Sequence, residues 1–196
     1  MMATSGANKQ VPTELDLAAC NEADHTVVGV VQGRYTEYIL LMQHGEKWGG
    51  KIEQDLDFRH HLMPELPPHS LYARIGYPVP LGERNFMVVE NCILKYAGVV
   101  AEELLCEKRG VNSSEVRIGQ IDIAEAEGLA RSRFPEDQQA QQTMLYNAKS
   151  LARKILSNPA CWRAVEVLAQ ELKLAPDHML KETRIHSLVS QALKTA

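Results

Sequence analysis

The apolar positions of the chain fall into helix-length blocks separated by breaks rich in proline and glycine. The first block opens after Pro12, where Thr13 and Asp16 stand at capping-box spacing, and runs to a stop at Gly33. Within it Leu15, Ala18, Ala19, Glu22, His25, Val28, Gly29 and Gln32 recur about one helical turn apart, which predicts a helix with one half-buried stripe. Glu22 and His25 are polar yet continue that stripe, and this conflict is the first informative feature of the chain.

Tyr35 to Met42 is rich in aromatic and β-branched residues and too short for a typical helix, so it predicts a strand, paired with a neighbour near Lys51 to Gln54. From His60 to Pro80 the prolines at 64, 67, 68, 78 and 80 predict irregular structure within an insertion spanning about residues 43–84. Helical periodicity returns over Glu83 to Lys108, where Gly98 is the weak point. Further helices are expected over Ile118 to Arg133, Glu136 to Leu156, Pro159 to Leu172 and Pro176 to about Leu193, with prolines at the starts or just past the ends. The fold class is therefore mostly α (α+β), with a small β element in the first third. Residues 1–12 are expected as a flexible N-terminus and 13–196 as one domain.

Composition narrows the class of function. With 196 residues, 45% of them hydrophobic and 23% charged, the chain has the make-up of an ordinary globular domain. A net charge of -4 with scattered basic residues argues against nucleic acid as a partner, because phosphate neutralisation needs clustered Lys and Arg. No run of about 18 apolar residues is present and no secretory signal pattern opens the chain, so neither membrane insertion nor secretion is expected. Cys20, Cys92, Cys106 and Cys161 form no Cys-x-x-Cys pair, which favours reduced thiols and a cytoplasmic location.

The candidate chemistry lies in the first helix. Asn21-Glu22-Ala23-Asp24-His25 differs by one residue from His-Glu-x-x-His, in which side chains at i and i+4 share a helix face and reach one zinc ion while the Glu activates its water. Read alone, Glu-x-x-His is common by chance, and a solvated Glu22 with a capped or hydrogen-bonded His25 is its far more frequent origin. Asp24 is expected as a solvated helix residue.

Longer stretches carry a resemblance. Asn21 to Leu40, NEADHTVVGVVQGRYTEYIL, resembles the proteolytic domain of the FtsH family of AAA metalloproteases, where a helix bearing His-Glu-x-Gly-His leads through a Gly-Arg-x-Thr-Glu turn into a strand. Tyr96 to Leu105, YAGVVAEELL, is similar to the family's Gly-Gly-Arg-x-Ala-Glu-Glu-Leu helix, departing at Ala97 and Val99. Gly119-Gln120-Ile121-Asp122, followed by Ala126 to Arg131, is similar to the segment that carries the family's aspartate ligand. The helices around LARKILSN at 151–158 and VLAQEL at 167–172 also follow its pattern.

The resemblance implies that Glu22 stands as the general base, His25 and Asp122 as zinc ligands, and Asn21 in the place of a missing histidine. An amide oxygen is not among the usual ligands of zinc, and one His with one Asp falls short of the three protein ligands of a catalytic site. Zinc is therefore expected to be weakly held or absent, and the function to be that of a non-catalytic relative that binds a polypeptide or protein partner. The alternative is an active zinc endopeptidase whose further ligand comes from the insertion, where His44, His60, His61 and His69 lie, or from a partner chain. Cys20 is unsuited, since the adjacent helix position points about 100° away. The family couples proteolysis to an ATPase and assembles as hexamers, so the resemblance also allows a separate ATPase partner and a homo-oligomer. No ATP site is expected here: Gly45 to Lys51 fits the glycines and lysine of a P-loop, but Ile52 replaces the Ser or Thr, and no helix is expected to follow. That segment falls where the family has an edge strand lining its substrate cleft, which suggests peptide recognition by strand addition.

Overall fold

The structure of the chain, a computed structural model, describes residues 10–55, 83–115 and 119–194. It is mostly helical with one small antiparallel sheet, as the periodicity predicts. Helix α1 (Glu14–Val31) begins with the expected capping box: the Thr13 hydroxyl accepts from Asp16 N–H, and the Asp16 carboxylate accepts from Thr13 N–H. Strands β1 (Tyr35–His44) and β2 (Lys47–Asp55) follow as a hairpin that turns at Gly45, with Ile39 opposite Ile52 and Leu41 opposite Gly50. Then come α2 (Glu83–Lys108), α3 (Gln120–Arg133), α4 (Gln138–Leu156), α5 (Pro159–Leu174) and α6 (Glu182–Lys194).

The core is built around α1. This helix packs between α2 and α5 and against both strands of the hairpin, so Ala19, Ala23, Val27, Val28 and Val31 lose all contact with solvent. Burying one such valine contributes about 1.5 kcal/mol or more, and the bulky β-branched run is helical because this packing outweighs its weak helix propensity. The expected half-buried stripe is thereby corrected. From Leu17 to Val31 every residue except Asn21 is buried, because neighbours cover α1 on all sides. Asp24, expected in solvent, is buried for the same reason.

Two further boundaries differ from expectation. The irregular insertion expected over about 43–84 is corrected at its start, where residues 43–55 complete a regular hairpin, and its residues 56–82 lie outside the described residues. The expected helix from Pro176 also breaks: Asp177 and His178 take positive φ (56° and 49°), and Met179–Lys181 then forms β3, antiparallel to β1 with Leu180 opposite Ile39. Leu180 is buried, and closing the sheet over the core outweighs continuing the helix by one turn. The sheet order is β2-β1-β3, which leaves β2 at an edge among the described residues. The remaining helices join one continuous core, with α4 on α2 and α6 on α5.

Candidate functional site

Beside the first half of α1 lies a cleft of about 410 Å3, walled by β2, the middle of α2 and the start of α3. Asn21, Glu22 and His25 enter it from α1, Lys95 and Glu102 from α2, and Asp122 from α3. The three positions that the resemblance assigns to the ligand set, Asn21, His25 and Asp122, meet in the structure although about 100 residues separate Asp122 from the other two.

The convergence point is the backbone of Gly98. A Cβ there would stand 2.3 Å from Asn21 Nδ2 and 2.8 Å from both Asp122 Oδ2 and His25 Nε2. The glycine that weakens the helix pattern is therefore where α2 passes beneath the three side-chain tips. His25 Nε2 is buried without a hydrogen-bond acceptor, 3.6 Å from Asp122 Oδ2.

Glu102 sets the position of Asp122. Its Oε2 accepts from Gly119 N–H at 2.9 Å, which fastens the N-terminus of α3, and Asp122 follows in the first turn of that helix. An acidic side chain is favourable there, close to the unsatisfied amides of the helix start. Asn21 then ties the two acids together: its Nδ2 donates to Glu102 Oε1 and to Asp122 Oδ2, each at 3.4 Å. Lys95 Nζ completes the shell, 3.5 Å from Asp122 Oδ1 and 2.5 Å from Glu125 Oε2.

These surroundings push the acids apart in strength. Burial, with the nearby Asp122 charge, raises the Glu102 carboxyl to about 7, against the donors from Gly119 and Asn21. Burial likewise raises Glu22. Asp24 is pushed well above the usual carboxylate range by burial and by its acidic neighbours, and both its oxygens lack a hydrogen bond to the described residues. Burial would raise Asp122 too, but His25, Lys95 and the Asn21 donor hold it below the usual range.

Glu22 is nearly buried, on the β2 side of the cleft. A Cβ on Gly50 would stand 2.1 Å from Glu22 Cγ and 2.4 Å from Oε1, so the glycine of the edge strand makes room for this carboxylate. Trp48 and Ile52 continue the same wall. The P-loop-like segment is accordingly part of a hairpin and opens no helix.

As arranged, the residues do not fit a catalytic zinc ion. His25 and Asp122 supply one nitrogen and one oxygen, while Asn21 turns its NH2 group, a donor, toward the site. Among the described residues no group of three or more His, Cys, Asp or Glu side chains is arranged to hold a metal. Of the histidines considered as substitutes, His44 is exposed at the end of β1, and His60, His61 and His69 lie outside the described residues. Cys20 points away from the cleft, with Sγ 3.9 Å from Ala101 O. All four cysteines are free and buried.

Glu102 and Lys95 are the site residues that motif reading does not single out. Glu102 is marked in the sequence only as part of the Ala101-Glu102-Glu103-Leu104 block that carries the resemblance, with no role assigned, and Lys95 carries no signal beyond its charge. No model of a known protein family matches the chain, and no curated protein does. No helix among the described residues is long and apolar enough to cross a membrane.

Proposed function

We propose that the chain is a non-catalytic relative of the FtsH-family zinc peptidases, a cytoplasmic domain that binds an extended polypeptide or a protein partner in the cleft beside α1. The observation that carries this reading is the bridge from Asn21 Nδ2 to Glu102 and Asp122. In a zinc peptidase the metal compensates the ligand carboxylate and acidifies a water. Here an amide NH2 and the Lys95 ammonium compensate Asp122.

The cleft walls support peptide recognition. β2 is a sheet edge among the described residues, and an extended segment pairs with such an edge through its backbone. Trp48 and Ile52 supply apolar contact beside it. A separate ATPase would be a source of unfolded chains, and assembly with further copies follows the same family analogy.

The experiment is anisotropy of a fluorescently labelled unfolded polypeptide such as reduced casein, with gel analysis of the same samples after incubation with zinc. Binding without cleavage is the expected result. The convergence of His25, Asp122 and Asn21 over Gly98 favours an active zinc endopeptidase as the second reading. Cleavage that disappears in Glu22→Gln would establish that reading and overturn the first.

A further inference from the structure

The cleft is unbalanced in charge. Five carboxylates line it, those of Glu14, Glu22, Glu102, Asp122 and Glu125, against the basic side chains of Lys95 and His25 alone. Lys95 is engaged with Asp122 and Glu125, and Glu102 takes its donors from Gly119 and Asn21. Glu22 is different. It is 8% exposed, it faces the cleft, and its carboxylate has no hydrogen bond or ion pair to any described residue. Its oxygens are not fully buried and so open to the cleft, where a cationic donor arriving from outside can form a charge-assisted hydrogen bond.

The position of Glu22 says where that donor enters. Because Gly50 has no side chain, the carboxylate lies directly against the backbone of the edge strand. An extended segment paired along β2 sends alternate side chains to the same face, so one of them reaches the cleft beside Glu22. A long side chain with an apolar stem suits the route past Trp48, and a charged head suits its end.

We propose that the cleft selects a peptide segment bearing a lysine or arginine, whose cationic head is received by Glu22 with Glu14 and Glu102 around it. This rests on the peptide-binding reading above and adds the class of side chain that is recognised. Neutral or acidic segments are disfavoured by the unpaired Glu22 and by the negative field of the cleft.

The test compares two blocked, fluorescein-labelled hexapeptides of alanine and threonine, one with a central arginine and one with citrulline, which keeps the shape but removes the charge. Binding to the full chain is read by anisotropy in buffer with EDTA. The arginine peptide is expected to bind roughly tenfold tighter, as for one charge-assisted hydrogen bond. Glu22→Gln, with its melting curve as a folding control, is expected to abolish the preference. Equal binding of the two peptides overturns the selection for a cation and leaves the peptide-binding reading standing. If neither peptide binds, both readings fall, and a preference unchanged in Glu22→Gln overturns the role of that residue.

Discussion

Gly98 lies so close to Asn21 that a Cβ at position 98 would stand 2.3 Å from the amide nitrogen, well inside van der Waals contact. The same atom would press on Asp122 and His25. Gly98 sits inside a 26-residue helix, where alanine is normally favoured by about 1 kcal/mol. Gly98→Ala is nevertheless expected to destabilise the protein by about 1 to 3 kcal/mol, because overpacking and the lost Asn21 bridge outweigh helix propensity. A thermal melt decides the sign, and a higher Tm in the variant would contradict the packing described here.

Replacing Asn21 separates its role as a donor from its role as filler. Asn21→Asp places a third carboxylate beside Glu102 and Asp122, where an NH2 group now donates at 3.4 Å to each. Its expected cost at neutral pH is about 2 to 4 kcal/mol, and Asn21→Ala, which merely removes the donor, should cost less. Chemical denaturation of the three proteins is expected to rank them Asn, Ala, Asp from most to least stable.

Away from the cleft, Asp16 joins the start of α1 to α5 and to the turn that follows α2. Its carboxylate lies 2.8 Å from Arg109 Nη1 and 2.8 Å from Lys173 Nζ, besides capping the helix through Thr13. Burial would raise its pKa, but hydrogen bonds from Lys173, Arg109 and Thr13 hold it well below the usual carboxylate range. The folded pKa is thus lower than the unfolded one, near 3.9. The stability it contributes is complete above about pH 4 and is lost as the pH falls further toward the folded value. Asp16→Asn should cost about 1 to 3 kcal/mol at pH 7 and progressively less below pH 4, as measured by denaturation at both pH values.

Much of the fold is legible in particular residues. Thr13 with Asp16, Pro159 at the start of α5, and the apolar periodicity of α2 mark those helices, because caps and periodicity act locally. β3 is hidden, since Met179–Lys181 becomes a strand only through pairing with β1, distant in the sequence. The all-round burial of α1 is hidden too: Asp24 looks like a surface residue until the sheet and α2 cover it.

The site shows the same division. Asn21 and His25 are visible on one helix face, with Glu22 a turn before His25, because their spacing is local, whereas only the resemblance points to Asp122. Glu102 and Lys95 acquire meaning through contacts with residues of other segments, among them Gly119 and Asp122. The balance of acids and donors in this cleft is thus a property of the packed structure.

Zinc content measured by elemental analysis, for the unmodified chain and for Asn21→His after equal exposure to zinc and equal dialysis, tests the central claim most directly. The expected result is far less than one zinc per unmodified chain, because Asn21 and Lys95 already satisfy Asp122. Asn21→His, which completes the His-Glu-x-x-His pattern, is expected to retain more. Near-stoichiometric zinc in the unmodified chain would contradict the claim and require a further ligand from outside the described residues.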